Sequence, residues 1–429
     1  MAASLEGLLS SVLLTVLLSC GRLPEESTVD TCDGPPWPAS AMPGQIMIAD
    51  TGGGKIVLVD RIGGEQESSL CLSSLLPDDC ATLREDGAAS CQVFGITADN
   101  HGLLVSFSNT SPTRAVSGVM HYDTLSEEMS WRIDGLRFPL DHALRETCLT
   151  MGNQEPLCRL RMPHAANWSP DGELVIADTL NDRVLLLRPP DTGTGVADVI
   201  ATLDSSEKDW GAARWPNHVQ VLSRNHEVYL LVTYKGSDPS ETGNNHAGRI
   251  MLWEVTDPAS PRRVWAYPEE GYLAAVHHAV IQEGAPDGEQ LMLYAHSFGS
   301  SDAFEGETGS IGMALATLDS PPVYLGDGLT STDEALGFVR SADLIDNGNT
   351  LLVTDSGCEH PNDSCSRIPR VLELSFTLPE PAGISGAFSP DHSAQRFIDL
   401  PMLGHSLGSG LQYPFESELV PQPQSRFRP

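Results

Sequence analysis

Three histidines and one arginine stand at one register of a repeating sequence: His164, His218, His278 and Arg340. Each of His164, His218 and Arg340 lies the same distance ahead of a turn, at Gly172, His226 and Gly348 respectively. Phe94 stands likewise before Gly102, and His278 lies slightly farther ahead of Gly288, where the turn is longer. A guanidinium offers a rigid fork of donors suited to a planar or tetrahedral oxyanion. An imidazole donates to such an anion, takes a proton from an attacking hydroxyl, or acts as the nucleophile itself. The set therefore suits binding a sulfate, phosphate or carboxylate, and its transfer. Three imidazoles at one level are also a ligand set for zinc, copper or iron. His277 stands beside His278, and strand alternation sends only one of two such neighbours inward. Asp178, Asp182 and Asp355, on Asp-rich loops, offer the hard oxygens that calcium takes.

Such a ring needs elements that repeat. Ile48-Ala49-Asp50-Thr51 recurs as Ile176-Ala177-Asp178-Thr179 and, loosely, as Val353-Thr354-Asp355-Ser356, at multiples of about 60 residues. Apolar runs at Leu103–Ser106, Leu230–Thr233 and Leu291–Tyr294 fill the intervening positions, as buried strands do. Gly, Asn or Asp turns precede most of them, and a further strand follows each, such as Lys55–Val59, Arg183–Leu187 and Arg370–Leu374. A unit of this size cannot bury both faces of its own sheet, whereas units packed around an axis can. The pattern predicts an all-β chain: a six-bladed β-propeller over residues 44–400, its innermost strands lining a central channel. The first unit lacks a recognisable innermost strand, and Arg396-Phe397-Ile398-Asp399 is the candidate to close the first or last blade. Residues 401–429 read as a loose, Pro-rich C-terminal tail. Two β-sandwich domains are the rival architecture.

Charge narrows the partners. Lys plus Arg is 25 and Asp plus Glu is 58, a formal net charge of −33. Nucleic acid is excluded as a partner, and anionic lipid headgroups are disfavoured, because both need clustered positive charge. A small anionic or aryl ligand is admitted only where the local cations outweigh the repulsive field.

The amino terminus carries an export signal. Leu8–Ser19 is apolar and of signal-peptide length, too short for a comfortable membrane span. It ends in Leu17-Leu18-Ser19-Cys20, similar to a bacterial lipobox, in which the signal is cleaved and the Cys is lipidated. The segment before it carries Glu6 and no Lys or Arg, so an ordinary secretory signal is the alternative. Residues 1–19 are then the signal peptide and 20–43 a lipid-anchored tether, placing the protein in the cell envelope, in the periplasm or at the cell surface. Its contact with the membrane would be the lipid alone. Without Cys20, eight of the nine Cys remain, an even set that suits disulfides in an oxidising compartment. Cys148–Cys158 and Cys358–Cys365 are the local staples; Cys32, Cys71, Cys80 and Cys91 cannot be paired from spacing.

His278-Ala279-Val280 with Pro286-Asp287-Gly288, and the run Ala342–Asp355 followed by Arg370-Val371-Leu372-Glu373, resemble blades of bacterial arylsulfotransferases. Pro163-His164-Ala165-Ala166-Asn167 with the run Ser169–Asp178 is similar to that family and to NHL-type propeller repeats. The resemblance implies a periplasmic propeller that moves a sulfuryl group from an aryl sulfate to a phenol through a histidine intermediate. Two positions depart from the family pattern: Arg340-Ser341 stands where a His is expected, and Ala279 where an Asp is. A non-catalytic interaction propeller, presenting its stapled 148–158 and 358–365 loops to a protein partner, is therefore a second reading, and a three-histidine metal site a third. The sequence leaves the cofactor unknown. Signatures of α/β-hydrolase, nucleotide and zincin chemistry are absent.

Overall fold

The computed structural model describes residues 45–61, 66–80, 91–99, 102–109, 116–152, 154–204, 213–237, 247–269, 272–282, 290–297, 309–327, 336–345, 350–357, 370–375, 395–398 and 414–419. Residues 1–44, with the leader, Cys20 and the tether, lie outside them, as do Cys358 and Cys365. Among the described residues no helix is long and apolar enough to cross a membrane.

The strands run as successive antiparallel meanders. The first comprises β1 (Ile46–Asp50), β2 (Lys55–Val59) and β3 (Gln66–Cys71). The second is β4 (Cys91–Ala98), β5 (Gly102–Asn109), β6 (Val116–Asp123) and β7 (Glu128–Arg137). The third is β8 (Pro163–Trp168), β9 (Leu174–Asp178), β10 (Arg183–Arg188) and β11 (Gly193–Asp204). Their outer strands β7 and β11 pair in parallel, so the two meanders share one eight-stranded sheet. Next come β12 (Ala213–Arg224), β13 (Glu227–Ser237), β14 (Ala247–Glu254) and β15 (Arg262–Tyr267), with the short β16 (Leu273–Ala274) on β14. The next sheet holds β17 (His278–Ile281), β18 (Gln290–Ser297), β19 (Gly309–Ala316) and β20 (Val323–Asp327). The last meander is β21 (Val339–Ile345), β22 (Thr350–Asp355), β23 (Arg370–Ser375) and β24 (Gln395–Ile398). The final strand, β25 (Pro414–Leu419), returns to pair with β1.

The inner edge strands meet one another in a closed cycle. β25 contacts β4, and β4, β8, β12, β17 and β21 follow in order until β21 contacts β25 again. This is a β-propeller-like arrangement, and it excludes two sandwiches. It also explains the apolar second strands, which are covered on both faces. Along β5, Leu103, Val105 and Phe107 pack with Met47, Ile56 and Leu58 of the first meander, while Leu104 packs with Ile176 and Leu185 of the third. The two-residue period of a strand thus divides one run between two cores. The cycle closes where Leu352 and Val371 of the last meander meet Ile46, Ile48 and Val57 of the first.

The apolar runs read from the sequence all fall within strands, and the Arg396–Ile398 segment completes the last meander, one of its two expected places, whereas the first sheet is closed from farther along the chain. Arg396–Ile398 belong to β24, the outer strand of the last meander. The missing innermost strand of the first sheet is β25, beyond the expected boundary at residue 400. Its sequence, Pro-Phe-Glu-Ser-Glu-Leu, has no apolar run; Glu416 and Glu418 accept from the backbone of β4, and Ser417 shares a hydrogen bond with Thr354.

Cys148 and Cys158 form the expected disulfide, which staples a short helix, Arg145–Met151, in the connection between β7 and β8. Cys80 pairs with Cys91, and Cys71 is disulfide-bonded as well. These bridges fit an oxidising extracellular or periplasmic compartment.

A chain ended after residue 400 leaves the inner edge of β1 without its partner. We expect it to aggregate or to unfold roughly 10 °C or more below the full chain. Equal melting of the two chains would show that β25 is dispensable.

Candidate functional site

Every inner strand is irregular at one equivalent place. The pairing of β4 with β5 slips at Phe94, of β8 with β9 at His164, of β12 with β13 at Asn217, and of β21 with β22 at Arg340. In the first sheet the slip falls between Pro414 and Glu416. At β17 the N–H of His277 donates to the Ala295 carbonyl (3.0 Å), while His278 is the strand partner of that same Ala295. A bulge sets two residues against one and re-aims the side chains there. Hence His277 and His278 both serve the axis, at adjacent levels, where simple alternation admits only one.

The register inferred from turn spacing is therefore one residue off in two of the four cases. His164 and Arg340 occupy the bulge position, whose counterparts are Phe94, Asn217 and His277. His218 and His278 occupy the next position, whose counterparts are Gly95, Ala165, Ser341 and Glu416. The four residues do not form one ring; they are divided between two tiers.

The bulge tier is cationic and buried. Arg340 Nη1 lies 3.4 Å from both ring nitrogens of His277, its Nε donates to Ser356 Oγ at 3.1 Å, and its guanidinium sits 4.3 Å above the Phe338 ring. Lys235 Nζ approaches the same ring at 5.9 Å. Asn217 Nδ2 contacts His277 Nδ1. His164 stacks on Phe94 with centroids 4.7 Å apart. Burial pushes the His164 imidazole down to about 3, aided by Lys235 and Arg340, while a hydrogen bond with Asn217 opposes the shift. The His164 ring is therefore neutral at physiological pH, and Arg340 and Lys235 supply the positive charge beside it.

The second tier joins three different sheets. His218 and His278 have ring centroids 3.9 Å apart. One ligand atom from each of His218, His278 and Glu416 lies within 4.8 Å of the others. Burial holds His218 well below the usual imidazole range, with His278 adding to it, and pushes His278 down to about 3. His278 Nε2 lies 3.7 Å from Asp343 Oδ1.

Beyond it the axis turns acidic and opens, for Asp343 and Glu418, two positions farther along their strands, are half-buried, as is Glu416 itself. Desolvation raises Asp343 to about 7 and Glu418 to about 8, and lifts Glu416 well above the carboxylate range. Glu416 Oε2 accepts from Ile96 N at 2.8 Å, and Glu418 Oε2 from Ala98 N at 2.9 Å. Comparable side chains bridge three more of the inner edges. Thr97 Oγ1 donates to the Ala166 carbonyl (2.9 Å), Asn167 Nδ2 to the Val219 carbonyl (2.7 Å), and Gln220 both gives to and takes from the backbone of Ile281. Asp343 stands at the equivalent position of β21.

The loop aspartates are structural. Asp178 is fully buried and accepts from Arg183 Nε (2.7 Å), Arg161 N (2.7 Å) and Asn181 Nδ2 (2.8 Å). Asp355 accepts from Phe338 N (2.8 Å), Gly357 N (3.0 Å) and Gly337 N (2.9 Å) and pairs with Arg370. Asp182 takes Trp215 N at 2.9 Å. Asp178 and Asp355 thus give their oxygens to protein donors, and among the described residues neither belongs to a metal-ligand cluster. A shallow groove beside the stapled helix, lined by Leu136, Phe138, Arg145, Leu149 and Val196, contains none of the axial side chains.

Sequence reasoning missed Glu416, Glu418, Asn217, Lys235 and Asp343. The signal for Asp343 and Asn217 was present, since each sits one to three residues from a residue already singled out. Glu416 and Glu418 carried none, because β25 has no repeat motif.

No family model matches the chain, and no curated protein matches it. Solved structures similar to it include the dihydro-heme d1 dehydrogenase NirN in complex with DHE (12% identity, TM-score 0.39, covering 98% of this chain and 87% of that one). An alpha-L-arabinanase of Penicillium chrysogenum complexed with arabinobiose aligns at 10% identity and TM-score 0.39, over 69% of this chain and 79% of that one. A protein of unknown function from Bacteroides caccae aligns at 11% identity and TM-score 0.33, over 66% and 93%.

His164 has its folded pKa depressed, so its contribution to stability is complete above about pH 6.5 and is lost as the pH falls below that. We expect His164→Phe, which retains a ring against Phe94, to flatten the acid side of the stability profile. The difference in slope approaches one proton, about 1.4 kcal/mol per pH unit, in urea titrations between roughly pH 6.5 and 4. Parallel profiles would show that His164 is not held neutral by the fold.

Proposed function

We propose that this protein is an exported six-bladed β-propeller whose axial channel binds a small oxyanion, with a sulfate ester of a phenol as the class its sequence resembles. The observation that carries this reading is the convergence of Arg340 and Lys235 with His164, His277 and Asn217 inside a chain of net charge −33. An anion entering this tier meets a guanidinium fork and an ammonium where little water competes, so its attraction to them exceeds that at the surface. The acidic surface makes the tier selective for ligands that reach it along the axis.

In the catalytic form of this reading, a neutral imidazole such as His164 attacks the sulfur. A nitrogen–sulfur bond forms, the sulfur–oxygen bond to the aryl group breaks, and the phenolate leaves with its electron pair. An acceptor phenol then gives its proton to the released phenolate and attacks the sulfur, and the nitrogen–sulfur bond breaks with its electron pair returning to the imidazole. Arg340 and Lys235 would hold the sulfuryl oxygens as charge moves to the leaving group.

Calorimetric titration of the full chain with sulfate and with 4-nitrophenyl sulfate tests the site. Arg340→Met should weaken binding by about 10- to 100-fold, the range for hydrogen bonds to charged groups. Release of 4-nitrophenol that is lost in His164→Phe would assign turnover, and binding without release would assign binding alone. Binding unchanged in Arg340→Met would end the oxyanion reading. In that event the interaction propeller is favoured, since Leu140, Leu149 and Met151 are exposed around the stapled insert.

We further propose that Cys20 carries a lipid that holds the chain at the cell envelope, supported by the Leu-Leu-Ser-Cys sequence that ends the leader. Cys20→Ser should move the protein from the membrane to the soluble fraction. An unchanged distribution would leave an ordinary signal peptide as the explanation.

A further inference from the structure

We infer that His218, His278 and Glu416 form a binding site for a divalent transition ion of the zinc class. The sequence suggested three histidines for such a site; the tertiary structure replaces His164 by a glutamate from β25. The three ligands come from β12, β17 and β25, each at the position that follows the bulge, and their ligand atoms gather within 4.8 Å.

Both rings are more than nine-tenths buried, at 8% and 3% exposure, and the Nδ1 of each has no hydrogen-bond partner. Burying an imidazole nitrogen with nothing to bind is costly. The rest of each ring is oriented. His218 makes a hydrogen bond to the backbone of Ala279, and His278 turns Nε2 toward Asp343 at 3.7 Å. A carbonyl or carboxylate behind the imidazole is the arrangement that fixes the tautomer and leaves the opposite nitrogen's lone pair for a metal. Glu416 gives Oε2 to the Ile96 N–H, which leaves Oε1 for coordination. Two imidazoles and a carboxylate are a ligand set of catalytic zinc sites, with a fourth position open. Calcium, which prefers six or more oxygens, is poorly served by nitrogen.

This site does not depend on the oxyanion reading, because Arg340, Lys235, His277, Asn217 and His164 are not among its ligands.

The test uses the full chain stripped with a chelator, titrated with Zn²⁺ by calorimetry and with Co²⁺ by visible absorption. We expect one ion per chain and the d–d bands of a four- or five-coordinate Co²⁺ ion. Glu416→Gln keeps an oxygen for the Ile96 N–H and so should fold as the parent does, with metal affinity lower by at least about 100-fold. His278→Gln should match it, and Asp343→Asn should lose about 10-fold, as residues behind a ligand do. His164→Phe and Arg340→Met should bind metal as the parent does. Absence of stoichiometric binding, equal affinity in the folded Glu416→Gln variant, or equal affinity for Ca²⁺ would each overturn the assignment.

Discussion

The inner edge of every sheet presents backbone N–H and C=O groups that no further strand can pair. Left bare in the interior, each would cost about 1–3 kcal/mol. The molecule meets this constraint with side chains of the neighbouring inner strand: Glu416 and Glu418 on β4, Thr97 on β8, Asn167 on β12 and Gln220 on β17. These bonds span four of the six junctions around the axis, from β25 to β17. They also dictate that the axis be lined with polar groups, which is what makes it available for chemistry at all.

The bulges set the second feature of the axis. By opposing two residues to one, each brings consecutive side chains toward the centre at a common height. Two tiers result, one cationic and aromatic, the other of imidazole and carboxylate, with acids beyond. Within a few residues of strand the axis passes from Arg340 to Asp343. The two ends of the axis thus differ in chemistry, with cationic donors at one and carboxyl groups whose pKa burial raises at the other.

Closure of the ring depends on the last described strand. The inner edge of β1 pairs with β25, so the amino- and carboxyl-terminal parts of the chain share one sheet. The same strand supplies Glu416 and Glu418, so completing the fold and completing the axial site are one event. The buried Asp178–Arg183 and Asp355–Arg370 pairs are the outer counterpart, binding the turn that leads into an inner strand to the meander behind it.

Much of the architecture was legible in the sequence because it rests on local pattern. Apolar runs such as Leu103–Ser106 and Leu230–Thr233 lie in strands buried on both faces, and burial on both faces requires such runs wherever they fall. The Cys148–Cys158 bridge was legible for the same reason, being a short-range pairing. The residue types at the axis were also apparent from the repeat. Their grouping was not. Whether His218 aligns with His164 or with Glu416 depends on a single inserted residue per strand, a shift that alters no composition and no period. Nor does any local signal mark Pro414–Leu419 as the partner of Ile46–Asp50, because that strand carries no apolar run and no repeat motif. Local hydrophobic pattern therefore determined the strands, while backbone register and long-range closure decided which side chains meet.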